Sequence, residues 1–294
     1  MEKTNLKTMN KDKLKNLTVR TLSGAVLAAV LFGATLLSAW GYIALLAVVT
    51  VVGVWEFYRL CHNCGYTPQR VMGVALAVML FGFGVALFVA KAISRALPLE
   101  EIILVALLYM LVAVPSVFVC ELFRKQEHPI ANVATTLAGV IYVAFPAALM
   151  LAVPLMLSQG GVWNPWYAIC YILIIWANDV FAYLTGISIG KHRMCERISP
   201  KKSWEGFVGG VVAAVGFAVL FGHLLGGNLA VWAGLGGVIA VTGVAGDFVE
   251  SLFKRSADVK DSGSIMPGHG GMLDRFDALF ISAPYVVMYL ILVS

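Results

Sequence analysis

Nine stretches of mostly apolar residues follow one another along the chain, separated by short polar breaks. A helix needs about 20 mostly apolar residues to cross the hydrocarbon core of a bilayer. On that rule the spanning helices are expected at 21–39, 42–60, 71–90, 102–121, 132–156, 166–188, 206–226, 229–250 and 273–293. The fifth stretch contains Pro146 and Pro154, which predicts a kinked or partly re-entrant segment. Residues 1–20 are polar and basic, a start shared with signal peptides. The apolar run that follows is longer than the roughly 7–15 residues of a signal sequence, so an uncleaved first helix is expected. No internal repeat or long linker divides the chain. It reads as a basic tail (1–20), a set of N-terminal helices (21–165) and a C-terminal region (166–294) that carries the chemistry, all in one membrane domain.

Composition agrees with an all-α polytopic integral membrane protein. Of 294 residues, 60% are hydrophobic and only 13% charged, against about 25% charged in soluble domains; the mean hydropathy is +0.88. The net charge of +5 is not a nucleic-acid footprint, because the basic residues sit at the ends of apolar segments, where they set orientation. With the N-terminus inside, 19 of the 21 basic residues face the cytoplasm, leaving Lys91 and Arg95 outside. This bias predicts nine spans, N-in and C-out, with the polar motifs on the cytoplasmic side. Cys61 and Cys64 have CxxC spacing without a second pair, and read as loop thiols rather than a metal or redox site.

The first half holds few polar groups inside its apolar stretches. Glu56 lies in Trp55-Glu56-Phe57-Tyr58-Arg59 near a helix end, where interface anchoring is expected. The second half differs. Asp179 lies inside the sixth stretch, and an intramembrane aspartate marks function by default. Positions 179, 183, 186 and 190 (Asp, Tyr, Gly, Gly) share one helix strip. Next comes Ser199-Pro200-Lys201-Lys202-Ser203-Trp204-Glu205-Gly206, in which Ser199 with Pro200, and then Ser203, read as helix-entry signals. Its paired lysines beside a helix N-terminus suit phosphate oxygens. The eighth stretch ends with Asp247, Glu250, Ser251 and Lys254 at i, i+3, i+4 and i+7, one polar face lining a cavity. Pro267-Gly268-His269-Gly270-Gly271 then offers backbone N–H groups for phosphate. Asp274 and Asp277 follow about one turn apart; with Asp247 they could hold a pair of Mg²⁺ ions bridging substrate phosphates.

The run Ser-x-Phe-Lys-Arg-x4-Lys-Asp-x-Gly from Ser251, followed by Pro-x-His-Gly-Gly-Met-x-Asp-Arg-Phe-Asp to Asp277, resembles the defining motif of phosphatidate cytidylyltransferases (CDP-diacylglycerol synthases). The runs at 178–183, 199–206 and 246–251 match further blocks of that family in order, so the resemblance covers about 166–294. Met266 stands where the family usually has Leu, Ile or Phe, and Ser203 where Thr is common; both keep the chemical type.

The resemblance implies CTP plus phosphatidic acid giving CDP-diacylglycerol plus pyrophosphate, at the inner (cell) membrane of a bacterium. The expected catalytic set is Asp247, Asp274, Lys254, Arg255 and Arg275. Asp247, Asp274 and Asp277 are assigned to Mg²⁺, as two divalent ions or one with a monovalent cation. Lys201, Lys202, Lys254, Arg255 and Arg275 are the candidates for the triphosphate and lipid phosphate, Asp179 and Tyr183 for the nucleotide pocket, and His269 with Gly270 and Gly271 for the phosphate turn. Ser199, Glu205, Ser251, Lys260 and Asp261 complete the substrate contacts. The implied partners are CTP, phosphatidic acid and the bilayer, with no nucleic acid; a homodimer is compatible with this reading. Three alternatives stand beside it: an ion-coupled transporter, a CTP-dependent enzyme acting on another lipid phosphate or a polyprenol, and a non-catalytic lipid-binding scaffold.

Overall fold

The computed structural model describes residues 21–92, 99–265 and 270–293. The basic tail, Arg95 and the Met266–His269 part of the glycine-rich turn lie outside the described residues. Among the described residues, eight helices are long and apolar enough to cross a membrane: α2 (Ala39–Asn63), α3 (Arg70–Ala92), α4 (Leu99–Arg124), α5 (Pro129–Leu157), α6 (Pro165–Ile189), α7 (Trp204–Leu224), α8 (Leu229–Ser256) and α9 (Leu273–Val293). They follow α1 (Thr21–Leu37), a shorter apolar helix. The class is therefore all-α and polytopic. α1 stops earlier than the apolar pattern suggested, because Ser38 caps α2 by accepting from the Gly41 N–H at 3.0 Å.

The fifth expected stretch is one continuous helix of 29 residues, about 43 Å long at 1.5 Å per residue, and so is not re-entrant. Its irregularity is a π-helical turn at Val140–Ala144, immediately before Phe145 and Pro146. A proline ring clashes with the preceding turn and donates no hydrogen bond, and a wider turn accommodates both defects.

The four C-terminal helices pack through small residues. On α7, Gly206 and Gly210 face Ala182, Gly186 and Asn178 of α6: a Cβ on Gly206 would stand 2.6 Å from the Ala182 carbonyl oxygen, and one on Gly210 2.7 Å from Asn178 Oδ1. On α8, Gly246 meets α9 so closely that a Cβ would stand 2.9 Å from Ala278 Cα. Without a hydrophobic driving force in lipid, such close approach is what associates helices. It also brings Asp247, the next residue of α8, beside Asp277 of α9.

Two corrections concern polar residues. Ser199 and Pro200 do not open a helix. They begin β2 (Ser199–Ser203), which pairs antiparallel with β1 (Arg193–Cys195), Arg193 opposite Ser203 and Cys195 opposite Ser199. Proline is tolerated there because both strands of a two-stranded ribbon are edges. Ser203 alone is the helix entry, its Oγ accepting from the Gly206 N–H at 3.2 Å.

The first half is also more polar than its pattern suggested. Buried Glu121 of α4 accepts from Gln69 Nε2 at 2.7 Å, Asn132 Nδ2 at 2.9 Å and Arg124 at 2.8 Å, tying α3, α4 and α5 together. Glu56 is not at an interface: it is 3% exposed, and its Oε2 accepts from the backbone N–H of Leu273 at 2.9 Å. At the opposite end of the bundle, Trp163 packs 5.3 Å from Tyr42 and 5.6 Å from Phe88, and the Lys91 side chain lies against Gly161. Cys61 and Cys64 are free thiols at the end of α2.

Candidate active site

One cavity of about 1120 Å³ opens among α1, α6, the ribbon, α8 and α9. Each wall follows from a local pattern. On α6, Asp179, Tyr183, Gly186 and Gly190 all border it, and on α8 so do Asp247, Glu250, Ser251 and Lys254. Both strips are the same-face sets that helical spacing dictates. The ribbon contributes Arg193, Lys201 and Lys202, the loop after α8 gives Asp261, and the start of α9 gives Asp274, Arg275 and Asp277. Six carboxylates and five cationic side chains thus share one space. Much of the rest of the lining is apolar, including Leu27 and Leu31 from α1 and Ile175, Trp176, Val180 and Ile187 from α6.

The charges are arranged in two groups. In the first, Lys202 Nζ lies 2.6 Å from Asp247 Oδ2 and 4.6 Å from the centre of the Phe248 ring. Asp179 and Asp277 are near enough to Asp247 to repel it and each other. Asn178 Nδ2 reaches Asp179 Oδ1 only at 3.4 Å, while its own Oδ1 is buried without a hydrogen bond. Three carboxylates against one lysine leave an excess of negative charge in a recess, an arrangement that attracts cations.

The second group is closed on itself. Lys254 Nζ lies 2.5 Å from Glu250 Oε2 and 2.7 Å from Asp274 Oδ1. The other oxygen of Asp274 accepts from Ser262 N–H at 2.9 Å, Ser262 Oγ at 2.9 Å and Gly271 N–H at 2.7 Å. Asp274 therefore organises the loop at the entry to α9, with both its oxygens engaged. The Gly271 N–H is likewise taken by Asp274.

Of the expected site residues, the cavity gathers Asp179, Tyr183, Lys201, Lys202, Asp247, Ser251, Lys254, Asp261, Asp274, Arg275 and Asp277. Ser199, Glu205, Arg255, Lys260, Gly270 and Gly271 do not border it, and His269 lies outside the described residues. Glu205 instead holds the ribbon, accepting from the N–H groups of Lys191 at 3.0 Å and His192 at 3.2 Å and contacting His192 Nδ1 at 2.6 Å. Arg193 and Glu250 are additions: Glu250 is on the predicted polar face, but only its ion pair with Lys254 assigns it a place. Among the described residues, no group of three or more His, Cys, Asp or Glu is gathered so as to hold a metal ion by protein ligands alone.

Residues 18–293 match the model of the cytidylyltransferase family. A protein of Bacillus subtilis (strain 168) named phosphatidate cytidylyltransferase is 32% identical over 286 residues, covering 94% of this chain and 98% of that protein. One of the same name from Haemophilus influenzae is 30% identical over 284 residues, covering 90% and 96%. Another, from Staphylococcus aureus (strain COL), is 42% identical over 127 residues, 42% of this chain and 49% of that protein.

Proposed function

The chain belongs to the cytidylyltransferase family, and from that premise we propose that it transfers the cytidylyl group of CTP to phosphatidate, giving CDP-diacylglycerol and pyrophosphate. The observation that carries the reading is the mixed lining of a single cavity, which offers two kinds of surface: ionic side chains, and apolar side chains of α1 and α6. A nucleoside triphosphate needs only the first surface. A phosphatidate needs both, its headgroup among the cations and its acyl chains along Leu27, Leu31, Val180 and Ile187. A soluble acceptor would leave the apolar wall without use.

The residues suit the chemistry. A phosphate oxygen of the lipid attacks the α-phosphorus of CTP, that P–O bond forms, and the bond to the β-phosphate oxygen breaks to release pyrophosphate. The lipid phosphate is already ionised, so no strong general base is required. Two polyanions must meet, and fixed cations lower the repulsion between them. Lys201, Lys202, Arg193 and Arg275 border the space in which they would meet.

Mg²⁺ fits the first charge group. Its ligands are hard oxygens, and it is commonly held by one or two carboxylates together with substrate phosphates. The repelling carboxylates of Asp247 and Asp277 are such ligands, with Asp179 beside them and the unpaired Asn178 Oδ1 behind. A bound Mg²⁺ would offset charge on the phosphates as the bond to the leaving group breaks. Asp274, committed to Lys254 and the loop, supports the site without ligating. Lys202 would exchange Asp247 for a phosphate oxygen.

The site faces the cytoplasm in this reading. Glu56 joins the end of α2 to the start of α9, so the site shares its end of the bundle with Arg59, and Lys91 and Gly161 mark the other. The test is incubation of the purified protein with labelled CTP, Mg²⁺ and either phosphatidate or a polyprenyl phosphate. Labelled CDP-diacylglycerol with phosphatidate alone is expected; label in the polyprenyl product instead would overturn the assignment.

A further inference from the structure

Glu56 is a buried carboxylate that the reaction as described does not use. It comes from α2, none of whose residues border the cavity, yet all its partners belong to the entry of α9. Its Oε2 accepts from Leu273 N–H at 2.9 Å, and Ser262 Oγ lies 3.3 Å from it. That same Ser262 Oγ is 2.9 Å from Asp274 Oδ2, so one hydroxyl proton lies between two carboxylates from opposite halves of the chain. Leu273 is the first residue of α9, where the helix dipole favours a negative charge. The other oxygen of Glu56 is buried without a hydrogen bond.

The loop is built to admit this carboxylate. A Cβ on Gly263 would overlap Glu56 Oε1, and one on Gly271 would overlap Glu56 Oε2 and stand 2.6 Å from Oε1. Gly271 belongs to the turn expected to cradle phosphate, and Gly263 to the Lys-Asp-x-Gly run before it. Next in sequence, Phe57 packs on Phe253 of α8 at 5.7 Å, and Phe253 on Tyr142 at 5.3 Å, which fixes α2 against the helix that bears Asp247. A carboxylate that is 3% exposed with one unpaired oxygen is unfavourable for stability alone.

We propose that Glu56 is a positioning residue for the cytidylyl transfer: it clamps the loop at Ser262 and Leu273, and so sets the registry of Asp274, Lys254 and Asp277 against Asp247. The proposal rests on the reaction assigned above. Glu56 touches no substrate; it acts through the hydrogen bonds that hold the first turn of α9.

The test uses full-length Glu56→Ala, Glu56→Gln, Gly263→Ala and the Glu56→Ala/Gly263→Ala double variant, read for kcat, KM and amide exchange. Glu56→Ala is expected to lower kcat about 30-fold per folded molecule, with KM for phosphatidate within about twofold, since an interaction of this kind acts on the reacting geometry. Amide exchange at Ser262 and Leu273 should accelerate while α3 and α4 are unchanged. Glu56→Gln keeps an acceptor for the Leu273 N–H and should recover to within about fivefold of the parent. Gly263→Ala should match Glu56→Ala, and the double variant should be no worse than either, because the severe overlap is with the carboxylate, Gly271 Cα lying farther off at 3.1 Å. Unchanged kcat in Glu56→Ala, or additive losses in the double variant, would overturn the clamp. If the parent makes no labelled lipid, the assigned reaction fails and amide exchange alone judges the clamp; unaltered exchange at Ser262 and Leu273 in Glu56→Ala then overturns it.

Discussion

Lys202 and Asp247, 45 residues apart, meet through a 2.6 Å ion pair that joins the ribbon to α8. Both are only partly exposed. The pair gives Asp247 a partner in the absence of substrate and Lys202 a resting place beside the Phe248 ring. In the reaction proposed above, each would exchange that partner for a stronger one of opposite charge, Asp247 for a metal ion and Lys202 for a phosphate oxygen.

Asp247→Asn keeps the shape and removes the charge. The variant is expected to insert and fold while turnover falls at least about 100-fold, or roughly 3 kcal/mol at about 1.4 kcal/mol per tenfold. Added Mg²⁺ should restore little of it. Near-normal turnover at low Mg²⁺ would make Asp247 structural and move the metal elsewhere.

Lys202→Met leaves Asp247 without its counter-charge and would deprive the triphosphate of one of its proposed donors. A rise of about tenfold in KM for CTP is expected, the scale of one charge-assisted hydrogen bond at about 1.5–3 kcal/mol, with Lys201→Met giving less. Steady-state kinetics in CTP at fixed phosphatidate would measure it; an unchanged KM would return both lysines to the role of topology signals.

Lys254 stands between Glu250 and Asp274, whose side chains are 3% and 5% exposed. Removing one member of a buried ionic set typically destabilises by about 3–5 kcal/mol. Lys254→Met should therefore lower the thermal midpoint in detergent as well as activity, whereas Lys202→Met should lower activity with little change in the midpoint. Equal midpoints for the two variants would show that the triad is not the tighter cluster.

Much of this was legible in the residues. The i, i+3, i+4, i+7 set of Asp247, Glu250, Ser251 and Lys254 and the strip through Asp179, Tyr183, Gly186 and Gly190 both border the cavity, because helical geometry alone decides which positions share a face. What pattern does not reveal is a partner distant in sequence. Glu56 read as an anchor because its aromatic neighbours suit an interface; its true partner, Leu273, is 217 residues on and offers only a backbone N–H. Its position inside an apolar helix was the available signal. Glu205 and Gly271 read as phosphate contacts for a similar reason: their bonds run to backbone and side chains that only the ribbon and the entry of α9 bring near. Ser199 and Pro200 followed helix-entry chemistry that a five-residue strand satisfies as well.

Gly246 sets the separation of Asp247 and Asp277, since a Cβ there would stand 2.9 Å from Ala278 Cα. Gly246→Val should part α8 from α9, reducing turnover about 100-fold or more by misplacing reacting groups by an ångström or so. Reporter fusions would check that insertion is retained, and retained turnover would show that the helices have room to spare.

Orientation has its own check. Thiol-reactive probes that do not cross membranes should label Cys195 from the cytoplasmic side and a cysteine placed at Val162 from the other. Labelling of both from one side would overturn the cytoplasmic placement of the site proposed above.

The apolar wall from Leu27 to Ile187 has a consequence for how turnover is counted. An acceptor that reaches the ionic groups along that wall arrives by diffusing within the sheet of lipid, and its product leaves the same way. Only CTP and pyrophosphate pass through water. Occupancy by the lipid should then follow its mole fraction in the surrounding bilayer, so that diluting phosphatidate with inert lipid slows the reaction while diluting the vesicles in buffer does not.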